Sequence, residues 1–423
     1  MRKLKKLIIS GLSLLAFALV TTGTPVSASS QPDVQADQLN LKVKSAMAID
    51  AQTGQVLYAK NAGKVMPIAS MTKLVTVYLT LAALKRGAIN WQTKVRATKA
   101  IAKVANNADY SNVPLQAGHA YTIKQLYQAT LIASANGAAM CLANAVAGNQ
   151  VAFVKQMRAL VKHWGLSDAK IYTVNGLPNG NLGSNAYPGV SRKAENEMSA
   201  SDMATIATKL LHHFPVVLET TRIAKMGFVD GHTTTPMANW NWMLKGLSQY
   251  DNRYPLDGLK TGTTDAAGAC FVGTLARGGS RIITVVMGAK HVTSSDPSRF
   301  VQTKHLLQYL FTHYRAVVIP SGQRLISLKV KDGHEKRVAT GLTNRTTVWD
   351  PVDGKKLTAH LTTSEVPAPL KRGQVATTVQ FKSGKTVLTG LNRPAGMRIP
   401  VAPLASVSEV NIFVKFWRFI FGG

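Results

Sequence analysis

Cysteine is scarce in this chain, since only Cys141 and Cys270 occur among 423 residues. Two cysteines cannot provide a disulfide scaffold for so long a chain, and we expect both to be buried free thiols. The sequence also lacks the His-Glu-x-x-His and Cys-x-x-Cys spacings that bind zinc, and the adjacent His212 and His213 would point to different sides of a helix. We therefore predict neither a metal site nor a bound cofactor.

Long hydrophobic runs are missing as well. The apolar run from Leu7 to Val20 follows four basic residues and precedes the small-residue triplet Val26-Ser27-Ala28. This pattern predicts a secretory signal peptide over residues 1–28, cleaved after Ala28. A retained membrane helix is the alternative, but the run is too short to cross a bilayer comfortably.

Acidic side chains are few, because 20 Asp and Glu stand against 50 Lys and Arg. Removal of the signal peptide, with its four basic and no acidic residues, lowers the formal charge from +30 to +26. Such an excess favours anionic partners. Export argues against nucleic acid, and the basic residues are spread along the chain rather than grouped with aromatic ones. An anionic envelope polymer or lipid surface fits better, and solubility alone is the alternative.

The C-terminal segment, residues 407–421, combines an apolar majority with regularly spaced polar residues. Polar positions recur at spacings of three and four, which places them on one narrow face of a helix: Ser408, Asn411, Lys415 and Arg418. The most apolar part, about twelve residues, spans roughly 18 Å as a helix, well short of the ~30 Å hydrocarbon core. We predict an amphipathic helix that lies in an anionic membrane surface as an anchor. A helix packed on the preceding domain is the alternative.

Residues 38–316 are predicted to form one domain of the α+β class, with helices beside an antiparallel sheet. A hairpin is expected around Ala51-Gln-Thr-Gly54, and a largely buried helix over the Gly- and Pro-free run from Ser70 to Leu84. Further helices are predicted at 123–132, 137–146, 150–163, 200–213 and 300–314, and further strands at 269–275 and 281–287. Over residues 317–405, polar and apolar residues alternate between Asp-Gly and Ser-Gly turns, which predicts a small all-β domain.

Three short motifs occur in order along the chain: Ser70-Met71-Thr72-Lys73, Ser134-Ala135-Asn136 and Lys260-Thr261-Gly262. Each is a weak signal alone, and the chain contains a second Ser-x-x-Lys at Ser167 that no buried helix follows. The second and third motifs each occur once, and separations of 64 and 126 residues place the three on different elements of one domain. Their combination predicts one active site.

The first motif has the residues of a serine nucleophile and its base. Ser70 would open the apolar helix, where the helix dipole favours developing negative charge, and Lys73 would lie on the same face. A serine hydroxyl needs an adjacent base, and a lysine can serve when its charged form is disfavoured. Lys260 is a candidate for the nearby positive charge that would do this.

The other two motifs would supply the walls of the site. Ser134 and Asn136, two residues apart, would not share a helix face, so if both reach the cleft we expect them to lie in a loop between helices. Gly262 removes a side chain from a predicted strand, which would let a substrate backbone approach closely.

With these motifs the chain resembles the low-molecular-mass penicillin-binding proteins that are serine D-alanyl-D-alanine carboxypeptidases. The resemblance covers nearly the whole length and is closest at Asp257-Gly258-Leu259-Lys260-Thr261-Gly262, with Asp265 and Gly268 downstream. It implies a β-lactamase/transpeptidase-like catalytic domain that removes the terminal D-alanine from peptidoglycan pentapeptides and is acylated by β-lactam antibiotics. It also implies a location on the outer face of the cytoplasmic membrane.

Position by position, the resemblance implies that Ser70 is the acylated nucleophile, Lys73 its base, and Ser134 the relay of a proton to the leaving D-alanine. The substrate-binding positions that it implies are Asn136, Lys260, Thr261, Gly262, Thr263 and Arg299. Backbone N–H groups of Ser70 and Thr263 would form an oxyanion hole. Some members of the family have His at the position of Thr263, so the resemblance does not fix the fine substrate preference or the deacylation rate. A surface arginine is the alternative interpretation of Arg299.

Two other functions fit part of the sequence. A class A β-lactamase shares the three motifs, but no Glu-x-x-Asn candidate lies between the second and third, and a β domain with a membrane tail is foreign to that family. A catalytically silent envelope-binding protein fits the charge and the tail, but the intact triple motif argues against silence.

Overall fold

The computed structural model describes residue 34 and residues 38–421. The predicted signal peptide, residues 1–28, lies outside the described residues. The helices are α1 (Lys73–Lys85), α2 (Lys99–Ala105), α3 (Ile123–Ile132), α4 (Asn136–Ala147), α5 (Gln150–His163), α6 (Ala200–His213), α7 (Val217–Thr221), α8 (Ser298–His313) and α9 (Ile412–Phe421). A 3₁₀ helix, Ala69–Thr72, runs directly into α1.

Most of the strands pair in antiparallel fashion with neighbours that are close in the sequence. They are β1 (Ser45–Asp50), β2 (Val56–Lys60), β3 (Met66–Pro67), β4 (Lys94–Arg96), β5 (Ala120–Thr122), β6 (Glu197–Met198), β7 (Lys225–Asp230), β8 (Thr233–Ala238), β9 (Gly258–Thr264), β10 (Gly268–Arg277), β11 (Ser280–Ala289), β12 (Tyr314–Ile319), β13 (Arg324–Lys331), β14 (Arg337–Leu342), β15 (Thr346–Pro351), β16 (Leu357–Leu361), β17 (Glu365–Pro367), β18 (Thr377–Ser383), β19 (Thr386–Val387) and β20 (Ile399–Pro403). Helices beside an antiparallel sheet confirm the α+β prediction.

A five-stranded antiparallel sheet organises the first part of the chain, in the order β2-β1-β11-β10-β9. The first two strands form the predicted hairpin. At the other side, β9 carries the third motif and pairs with β10 from Gly268 opposite Thr264 to Thr274 opposite Gly258. The third motif therefore lies on the edge strand of this sheet.

Both faces of the sheet are covered, which explains why β1 is apolar along most of its length. Met47 and Ile49 point into a large core shared with α1 and α3 to α6. Ala46 and Ala48, on the opposite face, join a second core under α8. The sheet is thus the middle of three layers, and the α1 side holds the first two motifs.

The later part of the chain is built of strands around two smaller cores. A larger sheet has the order β16-β18-β20-β14-β13-β17, with β19 paired to β18, and a separate ladder joins β12 to β15. Val379, Phe381 and Val401 lie in one core, and Leu328, Val338 and Val407 in the other. Alternate residues of β18 are buried, as a strand with one covered face requires.

Side-chain hydrogen bonds connect the two parts. Trp349 of β15 packs in the core beneath α8, and its Nε1 donates to Asp50 Oδ2 at 2.9 Å. Gln55 exchanges two hydrogen bonds with the Trp349 backbone, at 2.6 and 2.9 Å. The predicted boundary between residues 316 and 317 falls inside β12, which pairs along its whole length with β15. The division into 38–316, 317–405 and 407–421 stays a prediction.

The C-terminal helix turns its apolar side outward. Phe413 is 81% exposed and Phe419 87% exposed, whereas Arg418 Nη1 donates to Gly333 O at 3.0 Å in the β13–β14 turn. Val407 and Val410, just before the helix, are buried. Over the described residues no single helix is long and apolar enough to span a membrane, although α4 and α5, bent by 82°, pass as a pair by length and composition.

Candidate active site

Ser70 and Lys73 lie at the junction between the 3₁₀ helix Ala69–Thr72 and α1. The helix proper begins at Lys73 rather than at Ser70 as predicted, and the tighter turn before it leaves Ser70 partly exposed while Lys73 is completely buried. Lys73 Nζ lies 2.8 Å from Ser70 Oγ, 2.8 Å from Asn136 Oδ1 and 2.7 Å from Asn175 O. The amine therefore bridges the hydroxyl and two separate segments of the fold.

The environment of Lys73 favours a neutral amine. Burial, followed by the positive charge of Lys260, lowers the pKa of Lys73 well below its usual value. Burial, followed by the charge of Arg299, lowers the pKa of Lys260 to about 7. Lys73 Nζ donates all three of these hydrogen bonds, as a charged lysine does. A neutral amine has two donors and one lone pair, so it can keep its bonds to Asn136 and Asn175 while it accepts the proton of Ser70. The charge effect that we predicted for Lys260 is present, but it is second to burial.

The second Ser-x-x-Lys has a different environment. Ser167 and Lys170 are exposed, and Lys170 Nζ forms an ion pair with Glu197 Oε2 at 2.7 Å. That carboxylate raises the pKa of Lys170, in the direction opposite to the change at Lys73. Burial thus distinguishes two copies of the same sequence pattern.

The second motif spans the connection from α3 to α4. Ser134 lies in the connection, with a backbone φ of 57°, whereas Asn136 is the first residue of α4 and not part of a loop as we predicted. Ser111 O accepts hydrogen bonds from both the backbone N–H and the Nδ2 of Asn136, at 3.0 and 2.9 Å. These contacts leave Asn136 Oδ1 directed at Lys73.

The third motif lies along β9 beside Ser70. Lys260 is buried, and its Nζ donates to Thr261 O at 3.0 Å. A Cβ on Gly262 would lie 2.7 Å from Ile68 O and 3.1 Å from Ser70 N. The glycine is therefore required for close approach of the strand to the turn that carries Ser70, which is a different reason from the substrate approach that we predicted.

Arg299, in the first turn of α8, reaches the same strand. Its Nη1 donates to Gly262 O at 2.9 Å and Cys270 O at 3.1 Å, and its Nη2 donates to Thr263 Oγ1 at 2.6 Å. The residue is 7% exposed, so the alternative interpretation as a surface arginine is wrong. Burial lowers the pKa of Arg299 to about 10, which still leaves the guanidinium charged at neutral pH.

Sequence reasoning missed three groups that shape the site. The Asn175-Gly176 turn supplies a carbonyl to Lys73 and packs so closely that a Cβ on Gly176 would lie 2.0 Å from Ala69 O. Ser111 orients Asn136, as described above. Glu195 Oε2 accepts a hydrogen bond from Thr264 Oγ1 at 2.6 Å, at the end of β9. Only the Asn-Gly pair carries a sequence signal, and that signal indicates a turn without naming its partner.

Comparison with known proteins identifies the family. A family model described as D-alanyl-D-alanine carboxypeptidase matches residues 30–291. The chain belongs to this family. D-alanyl-D-alanine carboxypeptidase DacF of Bacillus subtilis is 28% identical over 92% of each chain. The family predicted from the three motifs is therefore confirmed, and with it a serine-type hydrolase.

Two solved structures of penicillin-binding proteins share the architecture. A peptidoglycan synthesis regulatory factor, penicillin-binding protein 3 of Streptococcus pneumoniae, is 33% identical with a TM-score of 0.75, covering 87% of this chain and 100% of that one. Penicillin-binding protein D2 of Listeria monocytogenes, in its ampicillin-bound form, is 30% identical with a TM-score of 0.51, covering 66% of this chain and 98% of that one. These similarities confirm the transpeptidase-like fold.

Cys141 and Cys270 are buried free thiols, as predicted. In the part of the chain that the structure describes, no cluster of three or more His, Cys, Asp or Glu side chains could hold a metal ion.

Proposed function

We propose that this carboxypeptidase removes the terminal D-alanine of peptidoglycan pentapeptides through an ester on Ser70. The observation that carries the proposal is the buried Lys73 amine, 2.8 Å from a partly exposed serine hydroxyl. Burial disfavours the protonated form of an amine, so its lone pair is free at neutral pH. A buried, neutral amine beside a serine hydroxyl can therefore act as the general base that accepts the serine proton.

In the acylation step, Lys73 accepts the proton of Ser70 as Oγ attacks the carbonyl carbon of the penultimate D-alanine. The negative oxygen of the tetrahedral intermediate is held by the backbone N–H groups of Ser70 and Thr263. Ser134 relays the proton that Lys73 took from Ser70 to the amine of the leaving D-alanine as the peptide bond breaks, which returns Lys73 to its neutral form. Water then hydrolyses the ester and restores the serine.

The remaining groups hold the substrate. The edge position of β9 lets an extended peptide lie alongside Thr261, Gly262 and Thr263. Lys260 and Arg299 supply positive charge for the terminal carboxylate of the substrate. The carboxylate binds beside Thr263, whose Oγ1 accepts a hydrogen bond from the Arg299 guanidinium. Asn136 orients both Lys73 and the substrate amide. β-Lactam antibiotics, with a strained amide and a carboxylate, acylate the same serine.

The protein acts outside the cytoplasmic membrane after the signal peptide is removed. Residues 38–316 form the catalytic domain, 317–405 the β domain, and 407–421 the anchor. The outward apolar face of α9 supports this anchor, because so wide an aromatic surface is unfavourable in water and suits the interface of an anionic bilayer.

Mass spectrometry of the penicillin-treated protein tests the nucleophile. Ser70→Ala should abolish both the adduct and D-alanine release from a pentapeptide, while the matched control Ser167→Ala should keep both. A persistent adduct in the Ser70 variant would contradict the assignment. Rapid turnover of penicillin would indicate a β-lactamase, and no labelling of the unsubstituted protein would indicate a silent binding protein.

A further inference from the structure

A cationic cavity lies between the larger sheet of the C-terminal part and α9. The residues that line it come after the active-site motifs in the sequence. Its volume is about 680 Å³, within the usual range of small-ligand sites. Strands β13 and β14, the turn between them and the helix line it with six basic side chains: Lys329, Lys331, Lys336, Arg337, Lys415 and Arg418. Only two acidic residues, Asp332 and Glu365, share the lining. The cavity therefore has an excess of positive charge.

Two of the six cations are occupied in holding the helix. Lys415 contacts the Glu409 carboxylate, and Arg418 donates to Gly333 O. The other four, which come from β13, β14 and the turn between them, are exposed and enter no ion pair within the described residues: Lys329, Lys331, Lys336 and Arg337. Clustered cations of this kind repel one another and gain most when an anion enters between them.

The position of the helix is fixed by the same turn that shapes the cavity. Val410 N donates to Asp332 O at 2.9 Å, and His334 N donates to Ser408 O at 2.9 Å. These backbone bonds hold the entry to α9 against the β13–β14 turn. Phe419 lines the cavity and is also part of the exposed apolar face of α9. A ligand in the cavity would thus have cations on one side and an aromatic surface on the other.

We propose that this cavity binds the phosphodiester headgroup of an anionic phospholipid, with the acyl chains leaving along Phe419 and the apolar face of α9. The combination of cations with an adjoining apolar face favours an amphiphile over a uniformly polar polymer. The inference rests on the proposed membrane anchoring and makes it specific, because it gives the headgroup a defined site on the β domain instead of a diffuse attraction.

The test measures partition of the full mature chain onto vesicles. The variant Lys336→Ala/Arg337→Ala removes two cavity cations, and Lys371→Ala/Arg372→Ala removes one lysine and one arginine from an exposed loop that does not line the cavity. On equimolar phosphatidylcholine and phosphatidylglycerol, the cavity variant should lose roughly thirtyfold in partition, about fivefold for each cation. The control should lose less than about twofold, since exposed charges away from the site are screened.

The two variants and pure phosphatidylcholine vesicles decide between a defined site and diffuse charge. Equal losses for both variants on the anionic vesicles would overturn the proposal in favour of diffuse charge. The proposal is also overturned if the cavity variant partitions onto vesicles as the unsubstituted protein does but no longer binds soluble poly(glycerol phosphate). The cavity would then bind the polymer and not a lipid. Monomeric dihexanoylphosphatidylglycerol should bind the unsubstituted protein and fail to bind the cavity variant. Unchanged D-alanine release by each variant verifies the catalytic domain, and an unchanged urea unfolding curve verifies the rest of the fold.

Failure of the anchor can be told apart from failure of the cavity. Phe413→Ser/Phe416→Ser removes apolar area from α9 away from the cavity and should lower partition onto both kinds of vesicle. If it has no effect, the anchoring function is wrong. The difference between the two cation variants still decides whether the cavity recognises a phosphodiester.

Discussion

Substitution of Gly176 by alanine tests whether the Asn175-Gly176 turn positions the nucleophile. The glycine has a φ of 85°, and an added Cβ would meet Ala69 O at 2.0 Å and Ser70 N at 2.9 Å. Both neighbours are backbone atoms, so no side chain can rotate away to relieve the overlap. The turn or the nucleophile segment must move, and either movement breaks the Lys73 contact with Asn175 O.

Two terms contribute to the expected destabilisation. The left-handed conformation costs an alanine about 1–2 kcal/mol relative to glycine. Overpacking against a fixed backbone adds typically about 1–3 kcal/mol, so the free energy of unfolding should fall by roughly 2–5 kcal/mol in total. A displacement of the reacting groups by about 1 Å should slow acylation on the order of a hundredfold.

Gly148→Ala is the matched control. Gly148 has a nearly identical φ of 80°, but nothing lies within 4 Å of an added Cβ. This variant therefore carries the left-handed cost alone, about 1–2 kcal/mol, and should be acylated at the normal rate. The difference between the two variants isolates the clash with the nucleophile turn.

Urea unfolding measures the free energy of unfolding of each variant. The second-order rate constant of labelling by a fluorescent penicillin measures its rate of acylation. The reasoning is refuted if Gly176→Ala is no less stable than Gly148→Ala and reacts as fast. A variant that loses stability but keeps its acylation rate would show that the turn supports the fold without positioning Ser70.

Three further predictions concern the pH profile, the carboxylate site and the tail. kcat/KM should rise with pH as Lys73, whose pKa is lowered, loses its proton. It should fall near pH 7 as Lys260, whose pKa is about 7, loses the charge that holds the carboxylate. Lys260→Arg should move this fall in kcat/KM to higher pH. Arg299→Ala should lower kcat/KM for the peptide by about ten- to a hundredfold, more than it slows acylation by a β-lactam without an equivalent carboxylate, whereas equal losses would indicate a purely structural role. A chain cut after Val410 should keep its activity and should no longer sediment with vesicles. If it sediments as much as the full mature chain does, the overall charge is responsible for binding. A cut after Pro403 is less suitable because it would also remove the buried Val407.

Helix bounds were predicted correctly for three helices that a side chain caps, although α2, which Thr98 caps, was not predicted. The predicted helices over 123–132, 150–163 and 200–213 match the structure, and each begins after a residue whose side chain accepts a backbone hydrogen bond: Thr122, Asn149 and Ser199. No such local signal exists at Lys73, because the Thr72 side chain forms no capping bond and the helix continues from a 3₁₀ turn. The start of the helix at the nucleophile was therefore misplaced.

The motif residues of the site could be predicted, but several of their partners could not. Lys73, Asn136 and Ser70 are recognisable because the chemistry requires their side chains. The carbonyl groups of Ser111 and Asn175 have no residue signature, since every residue carries one, and they come from 25 and 102 positions away. Only the folded chain shows which carbonyls meet the amine and the amide.

The same packing that stabilises this site sets its chemistry. Burial lowers the pKa of Lys73 and so favours the neutral amine, and Lys73 is buried because α4, the Asn175-Gly176 turn and β9 close around the turn that carries Ser70. This packing also holds Ala69 and Ser134 in left-handed conformations that they would not adopt alone. A change that opened any of these contacts would admit water and raise the pKa of Lys73 toward its usual value. The base would then be protonated at neutral pH, even with every motif residue in place, so catalysis should fail before the fold does.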